Sequence, residues 1–476
     1  MEFRNHTPFP ALAFGGVDTR EQSFHVVVLR QTLTWGADGL LVFSDEQSPL
    51  CMADEPFDAE SPSSVRQESD LCTYKPLADV IVNATAHPPR TSDGRSASRF
   101  EVRLVIARPG APASIPPSPY GLNPLMPPSP EALREWQAEV ERARRTQVSG
   151  ERLIDKKLVI TGPREFTRRT GLARASASLA RLGTFGAVRM STWSLNDPAA
   201  AAALPVRLEH AFGGQCRVDS STPAAEKVGA KSRLSTEQIA AHPDAPLAPV
   251  AHDAYEANVL GTGYIREWFI EATGLDRVQA PRIESPGSPV TLSLFDRIRT
   301  GASPLPGSPV VGLGVRPKGH PDRACLVGTI DEPFVQGTAA LPADFDFAVW
   351  NAAWPDQQVQ LLGDEQIILR NLCDAGTPAA VVEAGGDIVL TLALQGDLPF
   401  VLVRYADGSI GELPARLDTL VIDPEEREIS CVWRATVASS PEVRVLEFRM
   451  LSREEARGTE ESFNVTDRPA EVAHGK

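Results

Sequence analysis

Paired cysteines, a leader-type N-terminus, a long apolar run and an internal repeat are all missing from this sequence, and each absence removes a class of protein. The six cysteines stand at 51, 72, 216, 325, 373 and 431. That spacing lacks the close pairs of a zinc knuckle or a thioredoxin-like site, so they read as scattered, reduced residues. The start, Met1, Glu2, Phe3, Arg4, Asn5, has no charged region leading into an apolar stretch. No stretch approaches the roughly 18 apolar residues of a membrane span. The expected location is the cytoplasm. No motif recurs at a fixed period.

Assembled catalytic motifs are missing too. No serine is flanked by glycines two residues away on both sides, as a hydrolase nucleophile turn requires. Gly229, Ala230, Lys231, Ser232 lacks the glycines that let backbone amides cradle a phosphate, and Gly261, Thr262, Gly263 lacks the third glycine of a dinucleotide fingerprint. The eight histidines, at 6, 25, 87, 210, 242, 252, 320 and 474, never fall at the four-residue helical spacing that aims two imidazoles at one metal. Two acidic pairs stand out, Asp344 with Asp346 and Asp364 with Glu365. They would suit a hard cation, or the acid and base of a β-sandwich hydrolase. Pro342 and Gly363 mark both places as turns, however, where carboxylates bond backbone amides instead. No catalytic residue, cofactor or metal is expected.

What is present points to strands and long ordered loops. Prolines number 41 against 35 glycines. The 476 residues exceed what one hydrophobic core usually serves, so two domains or one large β-rich body are expected. Acidic residues outnumber basic ones by 62 to 47, a net charge of −15 that opposes nucleic acid and anionic membranes as partners.

Phe24 to Leu29, a turn at Gly36 to Gly39, and Leu40 to Phe43 form a hairpin signature, with Val27, Leu29, Leu33 and Trp35 on one face. Phe100, Val102, Leu104 and Ile106 alternate as in a half-buried strand. From 386 to 450 the pattern fits an antiparallel meander: Ile388, Leu390, Leu392, Leu394; then Phe400 to Tyr405 with a turn at Ala406 to Ser409; then Leu420 to Ile422, Ile429 to Trp433, and Val443 to Met450.

The organisation read from these signals is mainly β, with antiparallel sheets of sandwich or barrel type in two β-rich halves. Residues 1–215 form the first half. It includes a linker at 109–130 whose nine prolines no helix or central strand can absorb, and a surface helix at 130–145 that starts at Ser129 and Pro130. Residues 216–250 read as an inserted loop, 251–451 as the second half, and 452–476 as a disordered polar tail.

Seven short motifs without assembled chemistry follow in order. They are Tyr74, Lys75, Pro76 with Asp79; Ala211, Phe212, Gly213, Gly214; Gly328 to Asp331; Leu341 to Asp346, which holds Asp344, Phe345 and Asp346; Asn351 with Asp356 and Gln357; Leu362 to Glu365, which holds Asp364; and Trp433 with Arg434. In this order they resemble the bacterial family known as domain of unknown function 2169, over roughly residues 5 to 450.

That resemblance implies an accessory of type VI secretion, encoded beside the valine-glycine repeat spike protein and its PAAR-motif tip. Such a protein would bind an effector or its PAAR-bearing carrier and help load it on the spike, without catalysing a reaction. A structural component that travels with the spike is the other reading. The chain departs from the family pattern at His210, at Ile330 and Phe334, and near Asn258, where an expected Asn-Pro-x-Gly turn reads Asn258, Val259, Leu260, Gly261; these read as packing or turn positions.

Physically, Tyr74 to Pro76 sits where a proline opens a strand, and is read first as a turn. In the alternative reading Tyr74, Lys75 and Asp79 face the cargo. Trp433 and Arg434 are read as core plus a salt bridge.

Overall fold

Branched and aromatic residues alternating with polar ones set most of the strands, and three sheets share the apolar faces that result. The computed structural model describes residues 1–89, 96–110, 129, 131, 134–136, 150–169, 192–240, 252–301 and 310–451. Most of the sequence-predicted helix at 130–145 and proline-rich linker, and all of the tail at 452–476, lie outside the described residues. The fold is mainly β, in several mostly antiparallel open sheets.

The largest sheet has seven strands. Its main path runs Ala11–Val17, Ser23–Trp35, Glu428–Ala438, Arg416–Asp423, Ala78–Val82, Gln358–Val359, and Leu41–Phe43 also pairs with Ser23–Trp35. The hairpin read at 24–43 is present, closed by the Gly39 amide donating to the Gly36 carbonyl. Ala78–Val82 runs parallel to Arg416–Asp423, with Asp79 opposite Thr419.

A six-stranded sheet runs Ile283–Glu284, Arg152–Thr161, Arg99–Ala107, Gln366–Arg370, Ile388–Ala393, Val381–Val382. A four-stranded sheet runs Glu2–Asn5, Val443–Leu451, Leu398–Tyr405, Ile410–Pro414, its first pair parallel. Strands from before residue 215 and after residue 251 therefore lie side by side in all three sheets.

The meander expected over 386–450 is not formed. Its strands are real but are divided among the three sheets: Leu398–Tyr405 pairs with Ile410–Pro414 and Val443–Leu451, and Arg416–Asp423 with Glu428–Ala438, while other edges pair with strands outside the region. Ile388–Ala393 pairs with Gln366–Arg370, and Glu428–Ala438 lies against Ser23–Trp35 along ten residue pairs from Ile429 to Ala438. One core takes the inward faces of all three sheets, among them Val27, Leu29 and Trp35, Phe100 to Ile106 in alternation, and Val401, Leu446 and Phe448.

A second, smaller core gathers Phe166, Trp193, Ile270 and Phe295. It brings together the three-stranded sheet of Glu165–Arg168, Trp193–Leu195 and Arg277–Gln279 and the helices Glu267–Thr273 and Leu292–Arg299. These helices add to the single surface helix read from the sequence. The stretch read as an inserted loop also contains short helices, at Pro223–Glu226 and Thr236–Ala240.

Candidate functional site

Asp79 is the centre on which several motif residues converge, and it has no exposed surface. It sits in the strand Ala78–Val82, whose outer neighbour is the two-residue strand Gln358–Val359. Its carboxylate accepts from Lys75 Nζ at 2.8 Å, Asn351 Nδ2 at 3.0 Å, and the amides of Ala352 and Ala353 at 2.9 and 3.1 Å. Lys75 also donates to Thr419 Oγ1 at 2.7 Å, and Thr419 in turn donates to Asp418, which pairs with Arg434. Arg434 donates as well to the Cys72 carbonyl at 2.7 Å.

Burial alone would favour the neutral amine at Lys75, but Asp79 beside it more than offsets this and holds its pKa above the ordinary value. For Arg434, burial likewise acts against the charged form and Asp418 overrides it upward. The motif residues Lys75, Asp79, Asn351 and Arg434 thus form one buried polar seam in and beside the seven-stranded sheet.

The cargo-facing reading of Lys75 and Asp79 is therefore corrected. Both are buried and bonded to each other, because the charged pair bridges a strand to the loop at 351–353 rather than pointing outward. Tyr74 is half-buried, with Phe347 edge-on at 5.9 Å and the Arg416 guanidinium 6.0 Å from its ring centre. The carbonyl of Pro76 accepts from Arg416.

Gln357 extends the seam. Fully buried, it donates to the carbonyls of Val80 and Leu313 and accepts from Lys156 Nζ at 2.8 Å. Lys156 reaches the exposed Asp356 at 2.7 Å and lies over the Trp354 ring. Burial pulls its ammonium down to about 8, against the opposing pull of Asp356.

Two residues that the sequence reading missed complete this part. One is Lys156, whose signal was the inward alternation Ile154, Lys156, Leu158, Ile160. The other is Arg323, fully buried, which holds Glu68 through two bonds of 2.6 Å and also donates to the carbonyls of Val349 and Arg316. Nothing local in the sequence marks Arg323.

The remaining motif carboxylates do not meet. Glu365 is buried and caps its own turn, accepting from the amides of Leu362 and Gly363 and from Arg108. Burial pushes its pKa up. Asp364 is its neighbour on the same turn. Trp433 is buried across the sheet and donates to Gln31 at 3.1 Å. Phe212 and Gly213 pair with Thr262 and Gly263, and Gly214 donates to the Asn258 carbonyl. Gly213 has φ +157°, and a Cβ there would stand 2.1 Å from that same carbonyl, so no side chain fits. No group of three or more metal-ligating side chains comes together among the described residues.

Asp331, Asp344, Phe345 and Asp346 are elsewhere, on a knuckle that leaves the body at the buried Arg323. Asp344 accepts from both the amide and the hydroxyl of Thr329, at 2.7 and 2.9 Å, which closes the loop. The Thr329 amide first and its hydroxyl second hold the Asp344 carboxyl below its usual range. Gly328 turns the chain at φ +85°, and a Cβ there would lie 2.5 Å from Asp344 Oδ1.

Asp331 caps the short helix Glu332–Val335 through the Phe334 amide, and Asp346 caps the turn after it through the Ala348 amide. Phe345 packs edge-on against Phe347, which reaches Tyr74, so an aromatic run joins the knuckle to the seam. The positions Ile330 and Phe334 were read as packing or turn positions. Both are exposed, together with Val327 and Val335, because the caps pull the backbone polar groups inward and leave these side chains outside.

The chain is thus mainly β, with most of its motif residues in buried structural ties and others on one exposed knuckle. It belongs to the family described as an uncharacterized protein conserved in bacteria, DUF2169, whose model matches residues 20–111 and 127–434. The break between the two matches falls in the proline-rich stretch. The match is narrower than the 5–450 read from the motifs, and it ends at Arg434. Comparisons with curated proteins and with solved structures give no match. Among the described residues no helix is long and apolar enough to cross a membrane.

Proposed function

We propose that the protein is a non-catalytic accessory of type VI secretion, working in the cytoplasm as an adaptor or chaperone. It holds an effector, or the PAAR-containing carrier of one, and promotes its loading onto the valine-glycine repeat spike. One observation carries the reading: the motif residues divide into buried ties and an exposed apolar knuckle that those ties hold in shape. A surface of that kind, on a protein otherwise tied together by buried ion pairs, suits a partner better than a small substrate.

The supporting chemistry is consistent with this. Asp344, Asp346 and Glu365, the carboxylates a hydrolase would use, each serve a turn of their own, the first two in the open and the third buried. The ordered motif set points to the secretion role through the resemblance it carries.

The test is to express the tagged chain with the PAAR-bearing protein and the effector encoded near it. Retention of one of them through affinity and size-exclusion steps is the expected result. With both partners soluble, elution of the chain alone would overturn the proposal. Finding the protein in the secreted fraction, rather than left in the cell, would replace the loading role with that of a component carried out on the spike.

A further inference from the structure

The knuckle exposes both apolar and acidic side chains. Val335 is 68% exposed and Ile330 63%, with Val327 and Phe334 exposed beside them. From Ala324 to Leu369 the chain contains no lysine, arginine or histidine. Asp331, Glu332, Asp344 and Asp346 stand on the same loop, and among the described residues none of the four pairs with a cation.

Some surface carboxylates elsewhere do have cationic partners. Asp155 is held by Arg103 and Arg152, and Glu383 and Asp387 by Arg370. The knuckle segment thus exposes apolar side chains among carboxylates that no cation of the segment itself offsets.

We propose that this knuckle is the docking surface for a basic amphipathic segment of a partner protein, one that presents apolar side chains flanked by lysine or arginine. The inference deepens the reading of the chain as a protein that holds partners, and rests on it. Charge complementarity selects the occupant: carboxylates around an apolar centre steer and orient a cationic segment and repel an acidic one. A second copy of this chain is disfavoured by the net charge of −15, and an anionic membrane by the same carboxylates. The apolar side chains supply the buried contact and the carboxylates supply the choice.

The test uses the full chain and two synthetic amphipathic helices, one of leucine and lysine and the other of leucine and glutamate. Hydrogen exchange is followed across the chain with each peptide, and affinity is measured by calorimetry. The Leu–Lys peptide is expected to slow exchange within residues 326–346 and to bind more weakly as salt is raised. The Leu–Glu peptide is expected to leave this segment unchanged. A Phe334→Ser, Val335→Ser double variant should bind the Leu–Lys peptide at least about tenfold more weakly with the same melting temperature, since both side chains are exposed.

Protection centred outside the knuckle, equal protection by both peptides, or full affinity in the double variant would each overturn the proposal. No secretion protein takes part. A failed co-purification with the PAAR-bearing carrier therefore counts against the functional reading alone, and a failed peptide experiment against this inference alone.

Discussion

A lysine and an aspartate four residues apart, such as Lys75 and Asp79, resemble a surface pair when read in one dimension. In three dimensions they are closed off from water and tied to Thr419, Asn351 and two backbone amides. The two partners are not equivalent. Asp79→Ala leaves a buried ammonium without its counter-charge and should cost about 3–5 kcal/mol. Lys75→Met leaves Asp79 with three remaining N–H donors and should cost less, about 1–3 kcal/mol. Urea unfolding of both variants gives the comparison, and equal losses would show that the seam is not centred on Asp79.

The residue scale is also where sequence reading is weakest. Tyr74, Asp79, Asn351 and Arg434 were each visible as motif residues, but several of their contacts, such as Tyr74 with Phe347, Asp79 with Asn351 and Arg434 with the Cys72 carbonyl, span hundreds of positions that local sequence does not connect. Arg323 illustrates the limit. Its role depends on Glu68 and on two carbonyls, none of them near it in sequence except that of Arg316.

At the scale of elements, period-two alternation made the strands at 100–106 and 388–394 legible, apolar runs those at 24–29 and 400–405, and glycine-containing or charged turns the local hairpins. Leu398–Tyr405 with Ile410–Pro414, and Arg416–Asp423 with Glu428–Ala438, are such hairpins. Long-range pairing was not legible, because alternation states which face is apolar and not which strand lies beside it. The meander failed for that reason. The same reason hid Arg152–Thr161, where Lys156 interrupts the apolar face.

The four-stranded sheet offers a pH test. Glu447, on the strand Val443–Leu451, is buried between Arg404 at 2.7 Å and Arg449 at 2.6 Å, with His6, just past the adjoining strand Glu2–Asn5, at 3.7 Å. The Arg404 bond first and the Arg449 bond second pull its carboxyl down to about 2 from an ordinary 4.5. The folded chain therefore gives up this proton more readily than the unfolded one, so the pairing stabilises above the ordinary carboxylate range. The contribution is lost as pH falls from about 5 toward 2. Glu447→Gln should be less stable than the native chain by about 1–3 kcal/mol at neutral pH. The gap should close across that window in urea titrations at stepped pH. A gap that stays constant down to the acid limit would contradict the pairing.

Across the whole molecule, buried ion pairs and caps fix a large mainly β body, and the same motif set ends in a knuckle whose side chains face solvent. The family and the fold class were both legible, the first from the order of short motifs and the second from alternation and proline excess. The division between ties and knuckle was not, since Ile330 and Phe334 read as packing or turn positions and nothing local marks them as exposed. The central claim is that the body serves to present this surface to a partner. Its most direct test is the affinity of the co-purified effector or carrier for the native chain and for the Phe334→Ser, Val335→Ser variant. The account expects binding to fall at least about tenfold while the melting temperature holds. Unchanged affinity in a folded variant would contradict it.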